Sequence, residues 1–130
     1  MPQKNKSKIL IIDDDADIRD IYSMLLSAQS FLVITAADGE DGLKKAIAES
    51  PDLILLDVSM PVMDGFTMLQ KLRAANDYGK NAKIIFLTNL NADREDTVKK
   101  VVETRPISYI VKSSISNVEL LAKIKEALTL

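Results

Sequence analysis

The chain of 130 residues contains no cysteine and no histidine. The absence of cysteine excludes a disulfide framework and any thiolate zinc site, and it favours a cytosolic compartment. The absence of histidine excludes Ser–His and Cys–His nucleophilic catalysis within the chain, as well as imidazole metal sites. Any phosphohistidine chemistry would therefore need a histidine from another protein.

Long apolar runs and a strong net charge are also missing. The longest apolar runs are only a few residues, which predicts no transmembrane helix, and the polar start lacks the apolar segment of a secretory signal. The chain has 17 basic and 19 acidic residues and a net charge of −2, so its charge does not indicate the basic surface that nucleic-acid binding requires. We therefore expect a cytoplasmic protein that binds neither nucleic acid directly nor membranes.

The length suits one domain with a hydrophobic core. We predict a disordered basic N-terminal tail at residues 1–7 and a single domain at residues 8–130.

Short apolar runs alternate five times with segments of helical periodicity. This alternation predicts an α/β fold, a doubly wound and mainly parallel sheet of five strands with five helices. Several runs are almost continuously apolar, as expected for parallel strands that are covered on both faces. The last helix should begin at the capping-box pattern Ser116-x-x-Glu119. The predicted strands are Ile9–Ile12, Phe31–Thr35, Leu53–Leu56, Ile84–Leu87 and Tyr109–Val111.

Polar residues end four of these strands. An acidic triplet at residues 13–15 follows the first strand, and Asp57, Thr88 and Lys112 follow the third, fourth and fifth. Ligands of doubly wound sheets bind outside the carboxyl ends of the strands, so we expect these side chains to share one rim. Crowded carboxylates repel one another there, and a hard divalent cation such as Mg²⁺ relieves that repulsion. With a metal, a lysine and a hydroxyl to neutralise phosphoryl oxygens, a carboxylate can attack phosphorus and form an acyl phosphate.

Each of these signals has a plainer explanation when taken alone. Asp15 is predicted to cap the first helix, because acids suit the positive end of a helix dipole. Taken singly, Lys112 would be a surface lysine and Thr88 a strand-end residue. Four such residues at the ends of four strands favour a common site instead.

Two other acidic motifs fit less well. The run Asp13-x-Asp15-x-Asp17 resembles the start of an EF-hand, but Ile18 and Met24 stand where glycine and glutamate are needed. The same run resembles the D-x-D start of haloacid-dehalogenase phosphatases, which place threonine or valine where this chain has its third aspartate. A small Mg²⁺-dependent phosphatase is therefore a disfavoured alternative.

Taken together, the residues closely resemble the receiver domain of bacterial two-component response regulators over nearly the whole chain. The resemblance implies a flavodoxin-like sheet with the strand order 2-1-3-4-5. The segments that carry it are Ile9–Asp15, Asp52–Gly65, Ile85–Thr88 and Tyr109–Lys112.

The resemblance implies a role for each polar residue at the rim. Asp57 would be the phosphoacceptor, and the phosphoryl group would come from a phosphohistidine of a histidine kinase or a histidine phosphotransfer protein. Thr88 and Lys112 would bind that group, and Thr88 would act with Tyr109 as the switch. The implied cofactor is Mg²⁺ (or Mn²⁺), held by Asp13, Asp14, Asp57 and the backbone carbonyl of Ser59.

The implied function is phosphorylation-switched signalling through the surface of the fourth helix, fifth strand and fifth helix. An effector or a second copy of the chain would bind there. The domain would not be an enzyme beyond its own self-catalysed phosphoryl transfer and slow autodephosphorylation. The main alternative is a non-phosphorylated pseudo-receiver that only binds partners, which the complete set of site residues argues against.

Three positions depart from the common receiver pattern. Ser113 follows Lys112 where proline is usual, which favours a trans peptide. Pro106 should end the fourth helix without a left-handed glycine cap. Asn89 stands where alanine or glycine is usual, and this larger side chain should narrow access to Asp57.

Two residues near the rim also indicate that the phosphoform is lost slowly. Ser59 and Leu90 flank the expected path of water, and Leu90 offers no polar group to orient an attacking water molecule. We therefore predict a longer-lived or more slowly formed phosphoform than in receivers with a small residue at 89. Autodephosphorylation of Asn89→Ala tests this steric explanation, since the variant should lose its phosphoryl group faster.

Overall fold

The computed structural model describes residues 6–90 and 94–130. Its sheet has five parallel strands in the order β2-β1-β3-β4-β5, which confirms the predicted topology. The strands are β1 (Lys8–Ile12), β2 (Leu32–Ala36), β3 (Leu53–Leu56), β4 (Ile84–Thr88) and β5 (Ser108–Val111).

Five helices of ten to twelve residues connect and cover these strands. A sixth helix, Asp77–Asn81, is only one turn long and was not expected from the apolar periodicity, and Lys112–Ser114 form a 3-10 turn. In the part of the chain that the structure describes, no helix is long and apolar enough to cross a membrane. The long helices are α1 (Ala16–Ser27), α2 (Gly39–Glu49), α3 (Gly65–Ala75), α4 (Glu95–Thr104) and α5 (Asn117–Leu128).

The sheet is buried on both faces because successive side chains of a strand point in opposite directions. On one face, Leu10, Ile54 and Phe86 belong to a core that also includes buried residues of α2 and α3. On the other face, Ile11 and Leu55 pack in a second core with buried residues of α1 and α5. Two apolar layers thus hold the strands in register, and their polar ends meet at one edge.

Side-chain caps define where the helices begin. The Asp15 carboxylate accepts hydrogen bonds from the amides of Asp17 and Ile18, at 2.9 and 3.3 Å, which confirms its predicted capping role. Ser116 and Glu119 form the predicted capping box at the start of α5. Each of these two caps follows a loop at the carboxyl edge of the sheet, after β1 or β5, so the point where the helix begins is set by neighbouring residues.

The end of α4 is left-handed although it lacks glycine. Arg105 adopts φ 56° and ψ 51°, and its amide donates to the Val101 carbonyl at 3.2 Å. The Arg73 guanidinium holds this turn, because it donates to the carbonyls of Thr104 and Arg105 at 3.1 and 2.9 Å. An arginine therefore takes the conformation that a glycine usually supplies, and Pro106 follows it.

The predicted N-terminal tail lies mostly outside the described residues. Of its members, Ser7 accepts a hydrogen bond from the Leu32 amide at 2.9 Å, so the pairing of the first two strands begins one residue before β1.

Candidate functional site

Three carboxylates meet at the carboxyl edge of the sheet. One carboxylate oxygen from each of Asp13, Asp14 and Asp57 lies within 4.8 Å of the others. The Asp13 amide donates to the Ala36 carbonyl at 3.2 Å, and the Asp57 amide donates to the Ile12 carbonyl at 2.9 Å. These backbone hydrogen bonds to the neighbouring strand fix both residues just past the ends of their own strands. Asp13 is 3% exposed and Asp57 6%, whereas Asp14 is exposed to solvent.

Lys112 reaches this acidic cluster from the turn that follows β5. Its Nζ lies 2.5 Å from Asp13 Oδ2 and 3.5 Å from Asp57 Oδ2. Burial raises the pKa of Asp13, although the hydrogen bond from Lys112 opposes that change. Burial alone would lower the pKa of Lys112, but the hydrogen bond and the charges of both carboxylates outweigh it and raise that pKa. The ammonium group therefore stays charged and partly offsets the repulsion among the carboxylates.

Backbone amides orient the two buried carboxylates. The Asp15 amide donates to Asp13 Oδ1 at 3.0 Å, and the Ser59 amide donates to Asp57 Oδ1 at 3.3 Å. Each carboxylate therefore has one oxygen held by the main chain and the other near Lys112. The arrangement fits a hard divalent cation, which prefers carboxylate oxygens.

Thr88 and Tyr109 are linked through the backbone of Leu90. Thr88 is fully buried, and its Oγ1 accepts a hydrogen bond from the Leu90 amide at 3.3 Å. The Tyr109 hydroxyl donates to the Leu90 carbonyl at 2.6 Å, and its half-buried ring packs against Phe86 with centroids 5.7 Å apart. Burial raises the pKa of Tyr109, and the charge of Asp57 acts in the same direction. A displacement of residue 90 would therefore change the hydrogen bonds of both side chains.

The sequence-predicted site residues, apart from Tyr109, line one cleft of about 390 Å³. Tyr109 contacts this site through Leu90 instead. The residues lining the cleft are Asp13, Asp14, Asp15, Asp57, Ser59, Thr88, Asn89, Leu90 and Lys112.

Ser113 belongs to the same region, and its contact was missed by sequence reasoning. Its amide donates to Asn89 Oδ1 at 3.2 Å. No cis peptide occurs among the described residues, so the Lys112–Ser113 peptide is trans as expected. Asn89 and Ser113 both differ from the residues that are usual in receiver domains, but no pattern in the sequence predicts that they contact each other.

Comparison with known proteins agrees with this geometry. The family model for the response regulator receiver domain matches residues 9–125. The "Probable transcriptional regulator ycf27" of Cyanophora paradoxa is 41% identical over 124 residues, which make up 95% of this chain and 49% of that protein. The chemotaxis protein CheY of Treponema pallidum is 36% identical over 108 residues, which make up 81% of this chain and 72% of that protein.

A solved structure has the same fold with a metal in its cleft. It is the receiver domain of the sensor histidine kinase PA1611 from Pseudomonas aeruginosa PAO1, with a magnesium ion coordinated in the active site cleft. It matches with a TM-score of 0.85 at 25% identity, over 97% of this chain and 100% of that one.

The chain spans 46–49% of the length of several of the curated relatives that it matches. The family match itself covers most of the chain and includes every residue of the cleft. The chain belongs to the response regulator receiver domain family of two-component systems.

Proposed function

We propose that this receiver domain accepts a phosphoryl group on Asp57 from a phosphohistidine of a histidine kinase or a histidine phosphotransfer protein. The observation that carries the proposal is the position of the Asp57 carboxylate. It is buried, lies within 4.8 Å of the Asp13 and Asp14 oxygens, and has the Lys112 ammonium 3.5 Å away. An aspartate with a purely structural role would need neither two further carboxylates nor a lysine from the end of another strand.

The acidic cluster would hold Mg²⁺ or Mn²⁺. Its ligands would be Asp13, Asp14, Asp57 and the backbone carbonyl of Ser59, all of them the oxygen donors that such cations prefer. The magnesium ion in the receiver domain of PA1611 supports this choice. The bound cation would neutralise charge on the phosphoryl oxygens during transfer.

The side chains of the cleft would carry out the transfer. An oxygen of Asp57 attacks the phosphorus atom, and the phosphorus–nitrogen bond of the donor breaks with its electron pair going to the imidazole. Lys112 exchanges its hydrogen bond to Asp13 for an ion pair with a phosphoryl oxygen, and Thr88 donates its hydroxyl to another. Because the raised pKa of Lys112 keeps it charged, this ion pair needs no prior proton uptake.

The new charge would then alter the surface that partners bind. A shift of Thr88 toward the phosphoryl group would move Leu90, whose carbonyl holds the Tyr109 hydroxyl. Apolar side chains on α4 and α5, which flank β5, are open to solvent and suit an effector or a second copy of the chain: Val98, Val102 and Val118 are 45%, 69% and 78% exposed.

Acetyl phosphate tests the proposal directly. With Mg²⁺ present, the intact mass of the wild-type chain should rise by one phosphoryl group, and beryllofluoride should shift the amide resonances around the cleft. Asp57→Asn should show neither response, while Asp20→Asn serves as a control because Asp20 is an exposed acid on α1. Persistence of the mass increase in Asp57→Asn would exclude Asp57 as the acceptor.

The same assay distinguishes the alternatives. A pseudo-receiver would show no mass increase and no beryllofluoride response. A small phosphatase would hydrolyse phosphoesters at a steady rate, with the phosphoprotein present only as a transient.

A further inference from the structure

Two loops of the cleft are joined by a hydrogen bond that spans 24 positions of the chain. The donor is the Ser113 amide and the acceptor is Asn89 Oδ1, 3.2 Å apart. Asn89 directly follows Thr88, and Ser113 directly follows Lys112. The bond therefore connects the residues adjacent to both proposed phosphoryl-binding side chains.

A second contact ties the loop after β4 to β5 itself. The Tyr109 hydroxyl donates to the Leu90 carbonyl at 2.6 Å. Ser113, in the turn after β5, therefore holds residue 89, and Tyr109, on β5, holds residue 90. Ser113 can donate because it is not proline and has a backbone amide hydrogen.

We propose that Asn89 and Ser113 form a positioning pair that keeps Thr88 and Lys112 in register around the phosphoryl group. This inference rests on the proposed function. Thr88 ends β4 and Lys112 directly follows the neighbouring strand β5, but their side chains must converge on the oxygens of one group. The bond transmits a shift of either loop to the other, so the two side chains move together.

The expected effect is larger on phosphorylation than on folding. Asn89 and Ser113 are both exposed, so water replaces the lost partner in the unphosphorylated domain at little cost. In the transition state both loops must be ordered at once. The loss of one hydrogen bond should then slow phosphorylation between about twofold and tenfold.

The steric explanation for Asn89 predicts a different result for variants that keep the size of the side chain. If Asn89 only narrows the entrance to Asp57, variants that keep its bulk should behave like the wild type. Asn89→Leu separates the two explanations, because leucine has nearly the same shape but no acceptor oxygen. Ser113→Pro removes the donor and leaves Asn89 intact, whereas Ser113→Ala keeps the donor and is the matched control.

The rate of phosphorylation by acetyl phosphate should be measured at fixed Mg²⁺ for these variants and for the double variant Asn89→Leu/Ser113→Pro. A positioning pair predicts that Asn89→Leu and Ser113→Pro are each slowed about twofold to tenfold, that the double variant is no slower than the slower single one, and that Ser113→Ala is unchanged. Their free energies of unfolding should stay close to the wild-type value. A normal rate for Asn89→Leu, or additive effects in the double variant, would overturn the proposal.

Amide hydrogen exchange tests the contact itself without any phosphodonor. In Asn89→Leu the Ser113 amide should exchange faster, while the Ser59 amide, which donates to Asp57, should be unaffected. Equal exchange at Ser113 in both proteins would refute the pair whatever the rates show. If the wild-type chain takes up no phosphoryl group at all, the proposed function fails, and amide exchange alone then decides whether the two loops are joined.

Discussion

Replacement of Asp14 by asparagine should weaken the stabilisation of the fold by Mg²⁺. Asp14 is the exposed member of the acidic cluster, so its loss disturbs no buried ion pair. Asp13 and Asp57 are less suitable for this test, because both are buried and lie next to the Lys112 ammonium. Asp20→Asn makes the same change of charge at an exposed position on α1 and is the control.

The size of the effect follows from mass action. A ligand present at 100 times its Kd stabilises the folded state by about 2.7 kcal/mol. For a chain of 130 residues this corresponds to a rise in Tm of about 10 °C, from an unfolding entropy of about 2.1 cal/mol/K per residue. Loss of a direct ligand should weaken metal affinity at least about tenfold, so the rise at the same Mg²⁺ concentration should fall to about 5 °C or less.

Thermal unfolding of the three proteins over a range of Mg²⁺ concentrations checks this prediction. Sodium chloride at matched ionic strength removes the contribution of general screening. The wild-type and Asp20→Asn proteins should follow the same curve, and the Asp14→Asn curve should be displaced to higher Mg²⁺ by a factor of at least about ten. Superimposable curves for Asp14→Asn and the wild type would refute the assignment of Asp14 as a ligand.

Two further predictions concern stability. Val62 has φ 69° in a three-residue turn closed by the Met63 amide and the Pro61 carbonyl at 2.7 Å, and its side chain is 96% exposed. A β-branched residue is strained at positive φ, which asparagine adopts more readily. Val62→Asn should therefore raise the free energy of unfolding by about 1 kcal/mol in urea titrations, and a loss of stability would contradict the strain. The Tyr78 hydroxyl donates to the Pro51 carbonyl at 2.7 Å, so Tyr78→Phe should cost about 1 kcal/mol at neutral pH. Burial raises the pKa of Tyr78 far above its ordinary value of about 10, so the tyrosine ionises at lower pH in the unfolded chain than in the folded one. The difference in free energy of unfolding between the wild type and Tyr78→Phe should therefore shrink as the pH rises above about 10. A difference in free energy that does not change with pH would exclude this linkage.

Local patterns in the sequence predicted most of the fold. The alternation of apolar runs with helical periodicity placed all five strands to within one residue at each end, because strands covered on both faces must be apolar throughout. The caps at Asp15 and at Ser116–Glu119 were also predictable, since a cap depends on side chains within three residues of the helix start. The one-turn helix Asp77–Asn81 and the left-handed Arg105 were not predictable in this way. The first is too short to show a period, and the second depends on contacts with Arg73, which is 32 residues away.

The sequence by itself determined which residues stand at the strand ends, and hence that acidic, hydroxyl and ammonium groups share one rim. Only the tertiary structure decided how these groups contact one another. Lys112 lies closer to Asp13 than to Asp57, and Asn89 accepts from Ser113, because the register of neighbouring strands and the path of each loop set those distances. Residues 99 and 24 positions apart become hydrogen-bonding partners only after the sheet has brought its strands together. Their pairing depends on the packed core and is not encoded by any local pattern.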